Sequence, residues 1–394
     1  TAVLGIPSRN LDLFFVDETE VRGQLARHVP AGGIGIIEGV MGFYDGISGT
    51  SDTASAAHLA RATDTPAVLV VRPRGQSLSL AAEIKGFRDF APNTLRGVIL
   101  NGVSKAMYPF YKAIAEQAGL TVYGCLPPVP EAEIPDRHLG LVTAQEIGDL
   151  QAKLNRLADA AEEGLDLDGL LALAHTAPLL SDESAPLMPV TDRPVRIAVA
   201  RDRAFCFYYA DNFDVLRALG AEIVEFSPVA DEKLPEHIDG LYLGGGYPEL
   251  YAEQLAVNRT MRESIRAAVQ GGLPTIAECG GFLYLHRTLD GAEMAGVIDA
   301  DAHMTKKLQP FGYVTLTAGR DNLLCRAGGT IRAHEFHYAQ SGDNGDAFRA
   351  EKPNGRAWDC VHASETLYAG FPHLYLRANP AFAQSFVRAC AQGR

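Results

Sequence analysis

Cys279 stands where an apolar stretch meets two glycines, in the run PTIAECGGFLYL over residues 274–285. The apolar residues before it predict a buried strand, and the glycines and apolar residues after it predict a sharp turn into a helix. A helix amino terminus beneath the sulfur would favour the thiolate, which is the nucleophilic form of cysteine. The pattern is typical of a nucleophile at a strand-to-helix turn, although an isolated free cysteine is more often an inert core residue.

Two further segments supply what such a nucleophile would need. The run GLYLGGGYPE over residues 240–249 is a predicted strand ending in glycines, whose backbone N–H groups could face the oxygen that becomes negative when a thiolate attacks an amide. The run YAGFPHLYLRANP over residues 368–380 places His373 in an apolar setting. A general base must approach the nucleophile in space and not in sequence, so His373 is a candidate base for Cys279.

These three segments resemble class I glutamine amidotransferases of the Cys-His type, and within that class the cobyrinic acid a,c-diamide synthase group. The resemblance implies Cys279 as the nucleophile, His373 as the base, and Gly245 and Gly280 as donors to the oxyanion. It also implies L-glutamine as the nitrogen source and an enzyme of the carbon–nitrogen ligase type.

Two other features bear on this site. The run HEFHY over residues 334–338 matches a segment of the same group, and a structural turn near the glutamine pocket is an equally good interpretation. Many relatives carry Glu, or in this group His, two residues after the catalytic histidine, where this chain has Tyr375. The sequence therefore identifies no third, orienting member of a triad.

Acidic residues near the amino terminus could serve ATP chemistry. Glu38 follows a predicted buried strand at 34–37, and Asp45 lies in a glycine-rich loop. Nucleotide sites form at the carboxyl ends of parallel strands, where carboxylates can hold Mg²⁺ against phosphate oxygens. The runs PSRNLD over 7–12 and EGVMGFYDG over 38–46 also resemble the ATP-using half of the family, which is similar to dethiobiotin synthetase. We therefore expect Asp12, Glu38 and Asp45 to face one cavity, with Asp12 and Glu38 on the metal, although each alone could be a solvated loop residue.

The resemblance extends to Asn101, which corresponds to an asparagine that contacts adenine, and to PDRHLGL over 135–141, for which a structural loop is an equal alternative. No G-x-x-x-x-G-K-[ST] motif occurs, although the family has such a phosphate loop after its first strand. The chain is therefore expected to lack the family's first segment, either by truncation or because ATP use has been lost, and to bind ATP weakly while still hydrolysing glutamine slowly.

Composition limits the partners. The chain has 394 residues, enough for two domains, and a formal net charge of -13, which argues against nucleic acid. No apolar run reaches the ~18 residues of a membrane span. The six cysteines form no C-x-x-C pair, as is usual in a reducing compartment, so a cytoplasmic protein is expected; homodimerisation is left open.

The periodicity predicts an α/β protein of two domains, each a mainly parallel sheet flanked by helices. Strands are expected at 34–37, 67–71, 97–100, 120–123, 195–200, 222–226 and 240–243, with helices at 110–119 and 211–219. The expected domains are an ATP-dependent synthetase domain at 1–150, helices and a proline-rich linker at 151–194, and a glutamine amidotransferase domain at 195–394. The family implies a P-loop NTPase fold like dethiobiotin synthetase for the first and a flavodoxin-like fold for the last.

The expected function is ATP- and glutamine-dependent amidation of the a and c side-chain carboxylates of cobyrinic acid, a corrinoid, in cobalamin biosynthesis. Hydrogenobyrinic acid and nickel-sirohydrochlorin remain open as substrates, because the sister enzymes share these motifs; precursors of cobyric acid fit the 38–45 segment less well. From other classes, a stand-alone glutaminase, an ammonia-donating subunit and an inactive fragment also remain open.

Overall fold

The computed structural model describes residues 3–6, 8–134, 142 and 144–393. The chain divides into two compact units, of which the first comprises Thr1–Leu13 and Asp17–Ser184 and the second Phe14–Val16 and Ala185–Arg394. Pro7 and the segment 135–141, both singled out from sequence, lie outside the described residues.

The first unit is built around a parallel sheet with strands in the order β1-β2-β3. Its buried centre is formed by β-branched and leucine side chains, including Ile84, Val98 and Leu100. Within the described residues its elements are α1 Glu18–His28, α2 Ala56–Ala62, β1 Ala67–Val71, α3 Ser79–Asp89, β2 Leu95–Asn101, α4 Tyr108–Ala115, β3 Thr121–Leu126, α5 Leu150–Gly164 and α6 Leu167–Ala174.

The strand predicted at 34–37 is not formed. These residues belong to no helix or strand, and Ile36 is 95% exposed. A parallel strand needs a neighbour that satisfies its N–H and C=O groups, and among the described residues β1 pairs with β2 alone. An apolar β-branched run therefore does not become a buried strand without a partner in the sheet.

The second unit contains most of the elements. Within the described residues its strands are β4 Val195–Ala200, β5 Phe205–Phe207, β6 Ala221–Phe226, β7 Gly240–Leu243, β8 Gly245–Gly246, β9 Thr275–Glu278, β10 His286–Leu289, β11 Ala292–Glu293, β12 Ile298–Met304, β13 Gly312–Ala318, β14 Thr330–Glu335, β15 Ala339–Ser341, β16 Phe348–Glu351, β17 Ala357–Cys360, β18 His362–Ala363, β19 Leu367–Gly370 and β20 His373–Leu374. Its helices there are α7 Ala210–Ala218, α8 Ala252–Val257, α9 Arg259–Gln270, α10 Gly280–Tyr284 and α11 Pro380–Gln392.

A six-stranded sheet in the order β18-β19-β9-β7-β4-β6 forms the centre of this unit. All its pairings are parallel except that of the edge strand β18. Side chains alternate along β4, so that Ile197 and Val199 join one buried cluster while Ala198 and Ala200 join the other. Both faces are therefore covered, which confirms the α/β class with mainly parallel sheets.

Three further sheets occur among the described residues of this unit and are not predicted by the sequence patterns. One has five strands in the order β17-β16-β13-β14-β20, all antiparallel, one has four in the order β11-β10-β12-β15, and a small one pairs β5 with β8. They matter for function because β14 leads into the HEFHY segment and β20 begins with His373. Among the described residues, no helix is both long enough and apolar enough to cross a membrane.

Candidate active site

Cys279 lies directly after β9, which runs between β7 and β19 in the centre of the parallel sheet. Its backbone has φ 48° and ψ -101°, a combination that side-chain-bearing residues rarely adopt. Its N–H donates to the carbonyl of Gly370 at 2.8 Å, and α10 begins at the next residue. The chain thus reverses sharply at Cys279, the geometry that a nucleophile at the tip of a turn requires.

The glycines around Cys279 let backbone approach backbone. The N–H of Gly281 donates to the carbonyl of Gly244 at 2.8 Å, and a methyl group on Gly281 would lie 2.2 Å from the carbonyl oxygen of Leu243. A methyl group on Gly280 would lie 3.0 Å from the nitrogen of Gly246. The glycine-rich end of β7 and the turn at Cys279 are therefore packed directly against each other.

His373 reaches the same place from the antiparallel sheet. It pairs with His334 across β14 and β20, and a methyl group on Gly245 would lie 2.3 Å from its Cε1 atom. Burial, reinforced by His334 and His337, lowers the pKa of His373 to about 3. The imidazole is therefore neutral at physiological pH and has a lone pair with which to accept a proton.

The thiol of Cys279 is buried, with 7% of the residue exposed, and lies 3.9 Å from the carbonyl oxygen of Phe336, to which the S–H can donate. Burial raises the pKa of this thiol, and Glu249 adds to the effect, while the N–H of Gly280 opposes it. This differs from the sequence expectation of a thiolate favoured by the helix, because desolvation in the closed site outweighs the short helix α10. The thiolate must therefore form by proton transfer to a base.

The HEFHY segment forms the wall of the site next to Cys279. The Nε2 atom of His337 lies 2.9 Å from Oε1 of Glu335, and its Nδ1 lies 2.7 Å from the carbonyl of Ala339. The ring stacks flat on Phe371 with centroids 3.6 Å apart. Glu335, His337 and Phe371 also line a cavity of about 460 Å³. The segment is thus part of the candidate site, whereas its sequence pattern had not decided between a functional role and a structural turn.

Tyr375, which occupies the position of the missing triad member, has a different role. It is buried, stacks on Phe15 with centroids 4.8 Å apart, and meets Tyr209 edge-on. The carboxylate that faces the imidazole comes instead from Glu278, whose Oε2 lies 4.0 Å from Nδ1 of His373. Sequence reasoning did not single out Glu278, although it is the residue directly before the nucleophile.

Asn212, on α7, ties the segment after His373 to the parallel sheet. Its side chain is fully buried, donates to the carbonyl of Leu374 at 2.8 Å, and accepts from the N–H of Leu376 at 2.8 Å. Its amide also lies 3.3 Å from the hydroxyl of Tyr242. These bonds fix the backbone that carries the candidate base.

Asn212→Ala is expected to lower the free energy of unfolding by about 3 kcal/mol, because buried backbone groups then lose their partners at about 1–3 kcal/mol each. Urea unfolding followed by circular dichroism measures the change. The matched control is Asn354→Ala at an exposed loop position, which should change stability by less than about 0.5 kcal/mol. Equal effects of the two substitutions would contradict this role for Asn212.

The residues expected at the ATP site lie in the first unit. Glu38 and Asp45 are exposed, and Asn101 is exposed at the last position of β2. Glu38 does not follow a strand, since none forms at 34–37. Among the described residues, the oxygens of Asp12, Glu38 and Asp45 do not converge closely enough to hold one ion. As placed, the three carboxylates do not fit a shared magnesium ion, and their roles remain predictions.

Comparison with known proteins gives consistent results. Residues 196–381 match the model of the CobB/CobQ-like glutamine amidotransferase domain. A cobyrinate a,c-diamide synthase of Methanothermobacter thermautotrophicus is 39% identical over 98% of this chain and 89% of its own length. Enzymes of the same name from Listeria innocua and Caldanaerobacter subterraneus are 38% and 37% identical, over 96% and 98% of this chain and 87% of their own lengths.

Proposed function

The chain belongs to the cobyrinate a,c-diamide synthase family and is a glutamine-dependent amidotransferase, and we propose that it amidates the a and c side-chain carboxylates of cobyrinic acid with ammonia from glutamine and energy from ATP. The observation that supports this proposal is that the glycine-rich segment after β7 packs both against Gly280, in the turn at Cys279, and against the ring of His373. Hydrolysis of an amide by a cysteine needs these components.

The glutaminase half-reaction follows from the residues present. His373 takes the proton of the Cys279 thiol, and the sulfur attacks the side-chain amide carbon of glutamine. The carbonyl oxygen becomes negative, and backbone N–H groups at Gly245 and Gly280 are the proposed donors to it. When the C–N bond breaks, His373 returns the proton to the leaving nitrogen and ammonia departs. Water then attacks the thioester, which releases glutamate and restores the thiol.

Ammonia replaces a carboxylate oxygen only after that oxygen has become a good leaving group. ATP supplies this chemistry by transferring a phosphoryl group, so that ammonia displaces phosphate and an amide remains. We assign no step of this half-reaction to Asp12, Glu38 or Asp45, because their carboxylates do not converge as placed. Release of ammonia inside a closed site favours its use over protonation in bulk water.

Mass spectrometry tests the proposal. Full-length protein incubated with cobyrinic acid, Mg-ATP and glutamine labelled with ¹⁵N in the amide should convert two carboxyl groups to labelled amides. Parallel incubations with hydrogenobyrinic acid and nickel-sirohydrochlorin, the open alternatives, compare substrates by their initial rates. Labelled amide should be absent when ATP is omitted.

Two outcomes would contradict the proposal. Release of glutamate without amide formation on any tetrapyrrole would indicate a stand-alone glutaminase. The second outcome is that the Cys279→Ala variant amidates its substrate at an unchanged rate with glutamine as the nitrogen source. This result would show that Cys279 is not the nucleophile.

A further inference from the structure

Glu278 is the last residue of β9 and is 2% exposed, in a place where carboxylates are rarely found without partners. Its Oε1 accepts the N–H of Leu374 at 2.9 Å, and its Oε2 accepts the hydroxyl of Tyr242 at 2.9 Å. Leu374 directly follows His373, so this carboxylate holds the backbone of the candidate base as well as facing its ring. One oxygen thus serves the backbone, and the other is shared by Tyr242 and the imidazole.

The two other positions from which a carboxylate might be expected to reach His373 do not supply one. Glu335 bonds to His337 at 2.9 Å, and the position two residues after His373 holds the aromatic Tyr375. The carboxylate of Glu278, by contrast, comes within 4.0 Å of a nitrogen of His373. The ring nitrogen facing Glu278 is Nδ1, so Nε2 is the nitrogen that would take the proton of the thiol in the proposed mechanism.

We propose that Glu278 is the positioning residue of this glutaminase: its carboxylate orients His373 and stabilises the imidazolium that forms when the ring takes the proton of Cys279. The inference rests on the proposed function, in which Cys279 and His373 hydrolyse glutamine. The proton moves from sulfur to Nε2, the proton on Nδ1 stays there, and Glu278 keeps its charge throughout. The gap of 4.0 Å closes when the ring tightens on bound substrate, as catalytic hydrogen bonds do.

The charge state of Glu278 gives the inference a pH signature. Burial raises the pKa of Glu278 to about 8, against the opposing donors Leu374 and Tyr242. The fraction of Glu278 in the carboxylate form therefore increases as the pH rises towards and through that value. The rate of glutamine hydrolysis should increase with this fraction. The ionisable groups close to this pair include His334 and His337 beside His373, and the thiol of Cys279 and the hydroxyls of Tyr208, Tyr242 and Tyr368 near Glu278.

Glu278→Gln keeps the shape of the side chain and removes its charge. The kcat for glutamine hydrolysis should fall about 10²–10⁴-fold, the range for losing an acid–base or orienting group, while KM changes less than about three-fold. The rise in rate near pH 8 should disappear, and Glu278→Asp should restore part of the rate. The control is Asp239→Asn, which removes another buried carboxylate at the opposite end of β7 and should leave kcat within about two-fold. An unchanged kcat and pH profile in folded Glu278→Gln protein overturns the proposal.

A second variant tests the inference if Glu278→Gln does not fold. Tyr242→Phe removes the donor to Oε2, which raises the pKa of Glu278 further, so the rise in rate should move to higher pH and the maximal rate should return there. A lower rate with no shift of the profile would indicate a purely structural role and would overturn the inference.

Alkylation separates this inference from the proposed function. Iodoacetamide modifies Cys279 without glutamine, at a rate that reports how readily His373 takes the thiol proton. At pH 8, Glu278→Gln should slow this modification about ten-fold or more, the effect of one pKa unit. If the wild type does not hydrolyse glutamine, the proposed function fails, yet this slower alkylation still supports the role of Glu278. Equal alkylation rates count against Glu278 even in an active enzyme.

Discussion

Cys279→Ala is expected to lower the rate of glutamine hydrolysis by at least ~10⁴-fold, because Cys279 is the proposed thioester-forming nucleophile and alanine cannot replace it. The loss should be chemical and not structural. The side chain packs at the tip of a turn, and its thiol bonds only weakly to the carbonyl of Phe336, at 3.9 Å. Release of glutamate, measured by a coupled assay, gives the rate, and thermal unfolding checks that the variant is folded.

Supplying ammonia directly as the nitrogen source distinguishes loss of glutamine hydrolysis from loss of the amidation reaction itself. In full-length Cys279→Ala protein, amidation with glutamine should stop, while amidation with an ammonium salt at alkaline pH should continue. The matched control is Cys390→Ala, another buried free cysteine, on α11, which should keep the wild-type rate of hydrolysis. Glutamine-dependent amidation by Cys279→Ala would contradict the assignment of the nucleophile.

Gly245→Ala is expected to lower kcat for glutamine hydrolysis by about 10²-fold or more, the penalty for moving a catalytic group by about 1 Å. The added methyl carbon would lie 2.3 Å from Cε1 of His373, closer than two carbons can approach. Either the imidazole turns away from Cys279 or β8 shifts, and in both cases the base is displaced. The measurement is kcat and KM for glutamine together with the rate of alkylation of Cys279.

Gly319→Ala is the control for this substitution. Its new methyl group would meet the carbonyl of Ala347 at 3.5 Å, an ordinary contact, and it lies away from the candidate site. The control should keep kcat within about two-fold. Wild-type values of kcat and KM in Gly245→Ala protein would show that hydrolysis does not depend on the observed position of the imidazole. This result would count against His373 as the base.

The two largest predictions depend on different parts of the site. Cys279 is the proposed nucleophile, whereas Gly245 leaves room for the ring of the proposed base and is a proposed donor to the oxyanion. Substitutions at Cys279, Gly245 and Glu278 therefore test, in turn, the nucleophile, the position of its base and the carboxylate that faces the base. Cys279→Ala should abolish hydrolysis at every pH, and Glu278→Gln should change the pH profile, so the three positions do not give the same phenotype.

Local patterns in the sequence predict much of the second unit correctly. The strands expected at 195–200 and 240–243 are observed with the same bounds, and the helix expected at 211–219 is α7. The turn at Cys279 was also predicted, since an apolar strand followed by two glycines has few other conformations. These features depend on neighbouring residues, whose spacing is directly visible in the sequence.

The strand expected at 34–37 shows the limit of such patterns. Its composition is that of a buried strand, yet the structure leaves Ile36 95% exposed, because no strand pairs with it among the described residues. A strand is stabilised by its neighbours in the sheet, and these are not encoded within the segment itself. The antiparallel sheet that carries His373 was not predicted for the same reason.

The sequence by itself determined the family and the α/β class and predicted the nucleophile, because motif spacing and periodicity are local properties. The tertiary structure decided what surrounds the nucleophile. Glu278 and Leu374 are 96 residues apart in the chain, yet they share a hydrogen bond that places a carboxylate behind His373. The structure also placed Phe336 against the thiol and gave Tyr375 a packing role. Such contacts form between segments that are distant in the chain and belong to different sheets, so no spacing in the sequence could have revealed them.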